Sequence, residues 1–275
     1  MTSRRVRYFS PLFIAVIAVV FLVPFVFIIF TAAKTKAEAG QLAFSLPGEW
    51  ALIDNLKQAI EARDYMLITA FINSTIITVG SVAIMVVLSA MVAYVLQRRK
   101  PRWGWFADLL ILSGLIIPPA VVPTVWVMQE LSLFKTLQGM ILIEVAFGLS
   151  FCILLFRAFI ATIPRELDEA ATIDGAGPLR VFFSVIFPLM KSVVVTCVVV
   201  QSVTVFNDFV NPLYFLPGDE NATVQLTLFN FQSQYEQNFN LLFADILLIT
   251  IPPLIMFMFF NRKIVEGLTA GAVKG

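Results

Sequence analysis

The sequence predicts an all-α polytopic membrane protein with six transmembrane helices and both termini in the cytoplasm. Three observations carry that expectation: an apolar composition, the length of the charge-free runs, and the sidedness of the cations. Of 275 residues, 59% are hydrophobic and 13% charged, where a soluble domain has about 45–50% apolar and about 25% charged residues. So few polar side chains leave too much apolar surface for water to cover, and a bilayer is the solvent that accepts it. The net charge is +1 and the chain has no histidine, which excludes a histidine base, a histidine metal site and a histidine pH switch. Cys152 and Cys197 lie in apolar runs far apart in the sequence, a pattern of neither a disulfide framework nor a zinc cluster.

The spans follow in order from the positions of charge, because a charged group at the bilayer centre costs about 2.5–3.5 kcal/mol even on the lenient insertion scale. Uncharged stretches of 26 residues between Arg7 and Lys34, 33 between Asp64 and Arg98, and 21 between Asp108 and Glu130 each exceed the roughly 20 residues a crossing helix needs. Three more spans hold or border one acid: 136–156 contains Glu144, 192–210 ends near Asp208, and 237–261 contains Asp245. The first apolar stretch is much longer than the roughly 7–15 residues of a signal-peptide core and reads as a retained helix. Pro118, Pro119 and Pro123 in the third span, and Pro252 with Pro253 in the sixth, are expected to bend those helices rather than end them.

With the N-terminus inside, the inner segments carry fourteen lysines and arginines and the outer ones five, namely Lys34, Lys36, Lys57, Arg63 and Lys135. That bias sets the orientation. The whole of 1–275 then reads as one membrane domain with outer loops at about 34–66 and 212–239, a cytoplasmic loop at about 161–187 and a cytoplasmic tail at 261–275. Within the first outer loop a short amphipathic helix is expected from Ile53 to Ala62, after the turn signal Pro47-Gly48. The second outer loop has a turn-like tip at Pro217-Gly218-Asp219-Glu220-Asn221.

The inner segment Pro164 to Pro178 is the most informative. Proline at 164 suits a helix start, Glu166 and Asp168 complement the positive N-terminal end, Gly175 suits a left-handed C-terminal cap, and Pro178 starts a further helix. Ala170 and Ala171, flanked by Leu167 and Ile173, leave a low patch that another surface can approach closely. Glu169-Ala170-Ala171, three residues, Gly175, and Pro188 after the next helix resemble the cytoplasmic signature of the membrane subunits of binding-protein-dependent ABC importers, with Val185 and Phe187 standing where that family usually has isoleucine and leucine. Asn207-Asp208-Phe209 followed by Pro212-Leu213 is similar to the end of the fifth helix in the carbohydrate-uptake branch. The tail from Gly267 to Gly275 resembles that of the smaller membrane subunit of maltose-type importers.

The resemblance implies a permease subunit in a prokaryotic cell membrane that imports a sugar, a di- or oligosaccharide, without catalysing a reaction itself. The chain has no Gly-x-x-x-x-Gly-Lys-Ser/Thr loop, so no cofactor is expected on it, and ATP and Mg belong to a partner ATPase. Implied partners are a homologous second permease, two ATP-binding subunits and an extracellular solute-binding protein. Glu169, Ala170, Ala171, Asp174 and Gly175 become the ATPase-coupling site, and Thr269, Ala270, Gly271 and Lys274 a tail that reaches between the ATPase subunits. Gly218, Asp219, Glu220 and Asn221 become a contact loop for the binding protein. An uncharged, hydroxyl-rich solute asks for hydrogen bonds and aromatic faces, which makes Asn73, Asn207, Asp208 and Asn211 the candidates for the pathway or its outer gate. Import of glycerol-3-phosphate by the same mechanism is the alternative, and an ion-coupled secondary transporter a more distant one, since midplane acids and an internal repeat are not visible in the sequence. An intramembrane aspartyl protease built on Asp208 and Asp245 would carry Tyr-Asp and Gly-x-Gly-Asp, where this chain has Asn207-Asp208 and Ala244-Asp245.

Overall fold

The computed structural model describes residues 3–99, 101–231 and 238–270, and side chains at 16–99, 101–231 and 238–260. In chain order the elements are α1 (Ser3–Ala33), α2 (Lys36–Ala39), α3 (Leu52–Arg99), α4 (Gly104–Ile116), α5 (Val121–Glu130), α6 (Leu137–Ile160), α7 (Glu166–Ile173), α8 (Pro178–Arg180), a π-helical segment (Val181–Ile186), α9 (Phe187–Leu189), α10 (Lys191–Phe206), α11 (Val210–Phe215), a 3-10 turn (Leu226–Phe231) and α12 (Phe239–Ala270). Four helices are long and apolar enough to cross a bilayer, and there are six crossings if each of two bent pairs counts as one span. Large apolar side chains such as Phe21, Val79, Trp105, Ile116 and Phe259 stand exposed, as expected of surface that lipid rather than water solvates.

The prolines behave differently from one another. At Pro118-Pro119 the helix ends instead of bending: α4 stops at Ile116, Ile117 turns extended (φ −79°, ψ 121°), and α5 leaves at 115° to α4. A residue before proline is pushed out of the helical region by the ring that follows it, which accounts for Ile117. Pro252 and Pro253 lie inside α12, which carries on to Ala270. The helix foreseen at 53–62 begins at Leu52 and runs on into the second span across a break at Ala62–Tyr65, where Arg63, Asp64 and Tyr65 all take positive φ.

Two compact units make up the chain: Met1–Thr69 with Val224–Ile251, and Ala70–Thr223 with Pro252–Gly275. In the first, Ala32, Ala59, Phe231, Leu242 and Ala244 form a small apolar core around a buried amide. Asn55 Nδ2 donates to the Ala32 and Lys34 carbonyls at 2.8 Å each, and Asn55 Oδ1 accepts from Asn240 Nδ2 at 2.8 Å. Asn55 thereby satisfies two of the carbonyls that a helix leaves without partners at its C-terminal end. Asp245 is fully buried and accepts from Thr227 Oγ1 at 2.8 Å.

In the second unit α6 packs against α4, α10 and α11. The core includes Met85, Ala90, Cys152, Phe156, Ile160, Ile186, Met190 and Cys197. Gly148 lets α6 approach closely, because a Cβ there would collide with Met85 Sδ and press on Gln201 Oε1 at 3.3 Å; without a hydrophobic drive between helices in lipid, such small-residue contacts supply the packing. The two cysteines, distant in sequence, meet as buried free thiols with Sγ atoms 3.1 Å apart.

Candidate functional site

The second unit contains a cavity of about 610 Å³ lined by Glu144, Phe147, Gly148 and Phe151 of α6, Val200, Gln201 and Thr204 of α10, and Asn207, Asp208 and Asn211 beyond it. Both helices present one face to it: 144, 147, 148 and 151 recur at helical spacing, as do 200, 201, 204, 207, 208 and 211. The turn after α10 aims the polar groups. Asp208 Oδ1 accepts the backbone N–H of Val210 at 2.9 Å and of Asn211 at 3.3 Å, a side-chain turn that aspartate forms readily. Asn211 Nδ2 in turn donates to Glu144 Oε1 at 3.3 Å. Glu144 is only 5% exposed, and no lysine or arginine is among the lining residues. The result is a chamber of carboxyl, amide and hydroxyl groups facing two phenylalanine rings, chemistry suited to hydroxyl groups and unsuited to anions.

Of the four pathway candidates, Asn207, Asp208 and Asn211 line this cavity. Asn73 does not: it is buried, and its Nδ2 donates to the Ala222 carbonyl at 3.1 Å, tying α3 to the segment that follows the 217–221 tip. Sequence reasoning took Glu144 as a structural acid and passed over Gln201, Thr204, Phe147 and Phe151. The signal was available in the i, i+3, i+4, i+7 recurrence of polar and aromatic residues through two otherwise aliphatic spans.

The tip itself stands out from the unit. Gly218, Asp219 and Glu220 are exposed, Gly218 has φ +113°, and Asn221 Nδ2 donates to the Lys135 carbonyl at 2.9 Å. Of the tail residues, Thr269 and Ala270 end α12, while Gly271 and Lys274 lie outside the described residues.

At 161–187 the chain makes a rigid elbow. Helix α7 carries Glu166, Asp168 and Glu169 in its first turn, where negative charge is favoured. It closes with Gly175 at φ +83°, donating to the Thr172 carbonyl at 3.0 Å, while Ala176 N–H donates to the Ala171 carbonyl at 3.0 Å. These two bonds are the Schellman pair, and the left-handed φ is what glycine supplies without strain. Pro178 then opens the next helical run at its first position. Glu169, Ala170, Asp174 and Gly175 are exposed, Ala171 is half-buried, and Ile173 (85% exposed) and Leu179 (65%) project apolar side chains beside them. Leu179 was not singled out from sequence, since its exposure depends on the direction in which the second arm leaves the cap.

Apolar helices of bilayer length around a polar cavity, with a capped elbow between two of the spans, constitute the architecture of a helical membrane transport component. The chain belongs to the family described as "Binding-protein-dependent transport system inner membrane component", which matches residues 85–269. It is 32% identical over 261 residues to the "Probable starch degradation products transport system permease protein" of Thermoanaerobacterium thermosulfurigenes, covering 94% of each chain. It is 30% identical to the melibiose/raffinose/stachyose import permease protein of Bacillus subtilis, over 95% of this chain and 94% of the relative. Its fold is similar to that of a bacterial ABC transporter involved in the import of the acidic polysaccharide alginate, with a TM-score of 0.81, 20% identity, and coverage of 95% of this chain and 98% of that one.

Proposed function

We propose that this chain is the smaller-type membrane subunit of an ATP-driven importer that carries an uncharged di- or oligosaccharide into the cytoplasm. In this reading it crosses the membrane six times, with both termini and the elbow on the cytoplasmic side. The exposed face of the elbow, formed by Glu169, Ala170, Asp174 and Gly175 with Ala171 behind it, docks on a separate ATP-binding subunit. A second, homologous permease completes the pathway, two ATPase copies drive it, and an extracellular solute-binding protein delivers the sugar, with the tip at 218–221 as its contact and the tail as a further contact to the ATPases. ATP and its magnesium ion are held by the partner subunits.

The observation that carries the proposal is the elbow: a helix capped at both ends and offering an acidic and small-residue face is a part made to be pushed, whereas a floppy loop transmits no force. The solute class is supported by the relatives, which are named for starch degradation products and for melibiose, raffinose and stachyose, and by a cavity with acids and amides and without a cation. Nothing in the relatives' names or in the lining residues supports glycerol-3-phosphate, whose phosphate asks for a basic path.

The test is co-purification with the ATPase, second permease and binding protein, followed by ATPase measurement in lipid nanodiscs with and without neutral oligosaccharides. Co-assembly and ATP hydrolysis stimulated by loaded binding protein are expected. Sugar uptake persisting in cells that lack the ATPase would overturn the reading.

A further inference from the structure

Resting on the elbow as the coupling part, we propose that Tyr94, Arg98 and Asp168 form a strut that fixes α7 to the C-terminal end of α3, so that force received by α7 enters a membrane span directly. These are positioning residues: in this proposal none of them touches the ATPase or the sugar.

Asp168 and Glu169 are neighbours in sequence but about 100° apart around a helix, and the structure uses them differently. Glu169 is exposed. Asp168 turns inward, its side chain 17% exposed, with one oxygen for each of two partners on α3. Tyr94 Oη donates to Asp168 Oδ1 at 2.7 Å, and Arg98 Nη2 stands 3.1 Å from Asp168 Oδ2 with the arginine side chain 9% exposed. Arg98 Nη2 also donates to the Ile163 carbonyl at 2.9 Å, and Arg165 Nη2 donates back to the Gln97 carbonyl at 3.3 Å. The Tyr94 ring meanwhile packs on Phe182, 5.4 Å between centroids, in the π-helical segment that forms the other arm. The last two turns of α3 therefore hold the elbow on its approach, on its helix and on its exit.

Two features make this more than a surface staple. A shielded ion pair is screened far less by salt than an exposed one, and removing one partner strands a charge away from water. The bonded residues are about seventy positions apart, so α7 does not need them for its own helical geometry, which Gly175 already closes. What they add is a rigid connection: α7 cannot tilt without taking the end of α3 with it or breaking a buried network.

The experiment uses the assembled complex in proteoliposomes with loaded binding protein and reads sugar moved per ATP hydrolysed alongside co-purification of the ATPase. Arg98→Gln is expected to keep the ATPase bound and basal hydrolysis at the wild-type level while lowering sugar per ATP about tenfold, in keeping with the cost of a stranded buried partner. Tyr94→Phe, which preserves the ring on Phe182, should lower the ratio about two- to threefold through loss of one hydrogen bond. The charge-swapped pair Arg98→Asp with Asp168→Arg should recover part of the loss seen in Arg98→Gln. An assembled Arg98→Gln complex with an unchanged ratio overturns the strut; if that variant does not assemble, an unchanged ratio in Tyr94→Phe overturns it. Glu169→Lys is the separate arm: if it transports normally, the elbow reading itself fails, and if it is inactive while the Arg98 and Tyr94 variants keep the ratio, only the strut falls.

Discussion

The cavity and the elbow both collect acidic residues, and they spend them in opposite ways. In the cavity, Glu144 is buried and accepts from Asn211, while Asp208 is tied to the backbone of its own turn. On the elbow, Glu169 and Asp174 stand in the open, and the capping that defines α7 is done by backbone groups and Gly175. An acid with partners inside the chain shapes the chain; an acid with none facing it there is available to a second protein. Asp168 and Glu169 show both uses side by side.

The sharpest way to break that comparison is Glu169→Lys. Reversing a charge at a docking face costs several kcal/mol, so uptake should fall about a hundredfold or more with the protein still inserted; wild-type uptake in whole cells would remove the docking role. Next comes Asp208→Lys. It deprives two backbone N–H groups of their acceptor, which costs about 1–3 kcal/mol, and puts a cation in the cavity, so sugar uptake should drop about tenfold with co-assembly retained. Unchanged transport there would leave Asp208 as scaffolding. Asn55→Ala, remote from both sites, should lower thermal stability in detergent by about 1–3 kcal/mol because two carbonyls and the Asn240 amide lose a buried partner, and its sugar-per-ATP ratio should stay at wild type. Asn73→Ala is expected to have the smallest effect, about 0.6 kcal/mol, the average for polar contacts between membrane segments; a larger loss of transport than of stability would return Asn73 to the pathway.

What could be read in the sequence was whatever local chemistry decides. Pro164, Gly175 and Pro178 set the limits of the elbow, and the structure places α7, its cap and the next helix start there. Charge-free runs located the apolar helices, although two of the six candidate crossings are bent pairs rather than single helices. The break at Arg63–Tyr65 was not legible, because three non-glycine residues with positive φ carry none of the usual turn chemistry. Nor were the contacts that join distant stretches: Asn55 with Asn240, Cys152 with Cys197, and Arg98 with Asp168 are each separated by more than forty positions. Such pairs follow from how helices dock, a choice made by packing rather than by any neighbour in sequence. The cavity lies between these extremes, since its face pattern is written in α6 and α10 but its existence depends on the two facing one another.

The π-helical segment at Val181–Ile186 has a consequence for how insertions and deletions are tolerated. A π turn holds one residue more than an α turn, and each residue of an α-helix advances the chain by about 100°. Losing one residue here would let the coil relax to ordinary α geometry and swing everything downstream through roughly that angle, carrying Gln201 and Thr204 from the chamber toward lipid. The length of this short stretch therefore sets the azimuth of the fifth apolar segment, and a one-residue deletion there should be far more damaging than a substitution by another apolar residue.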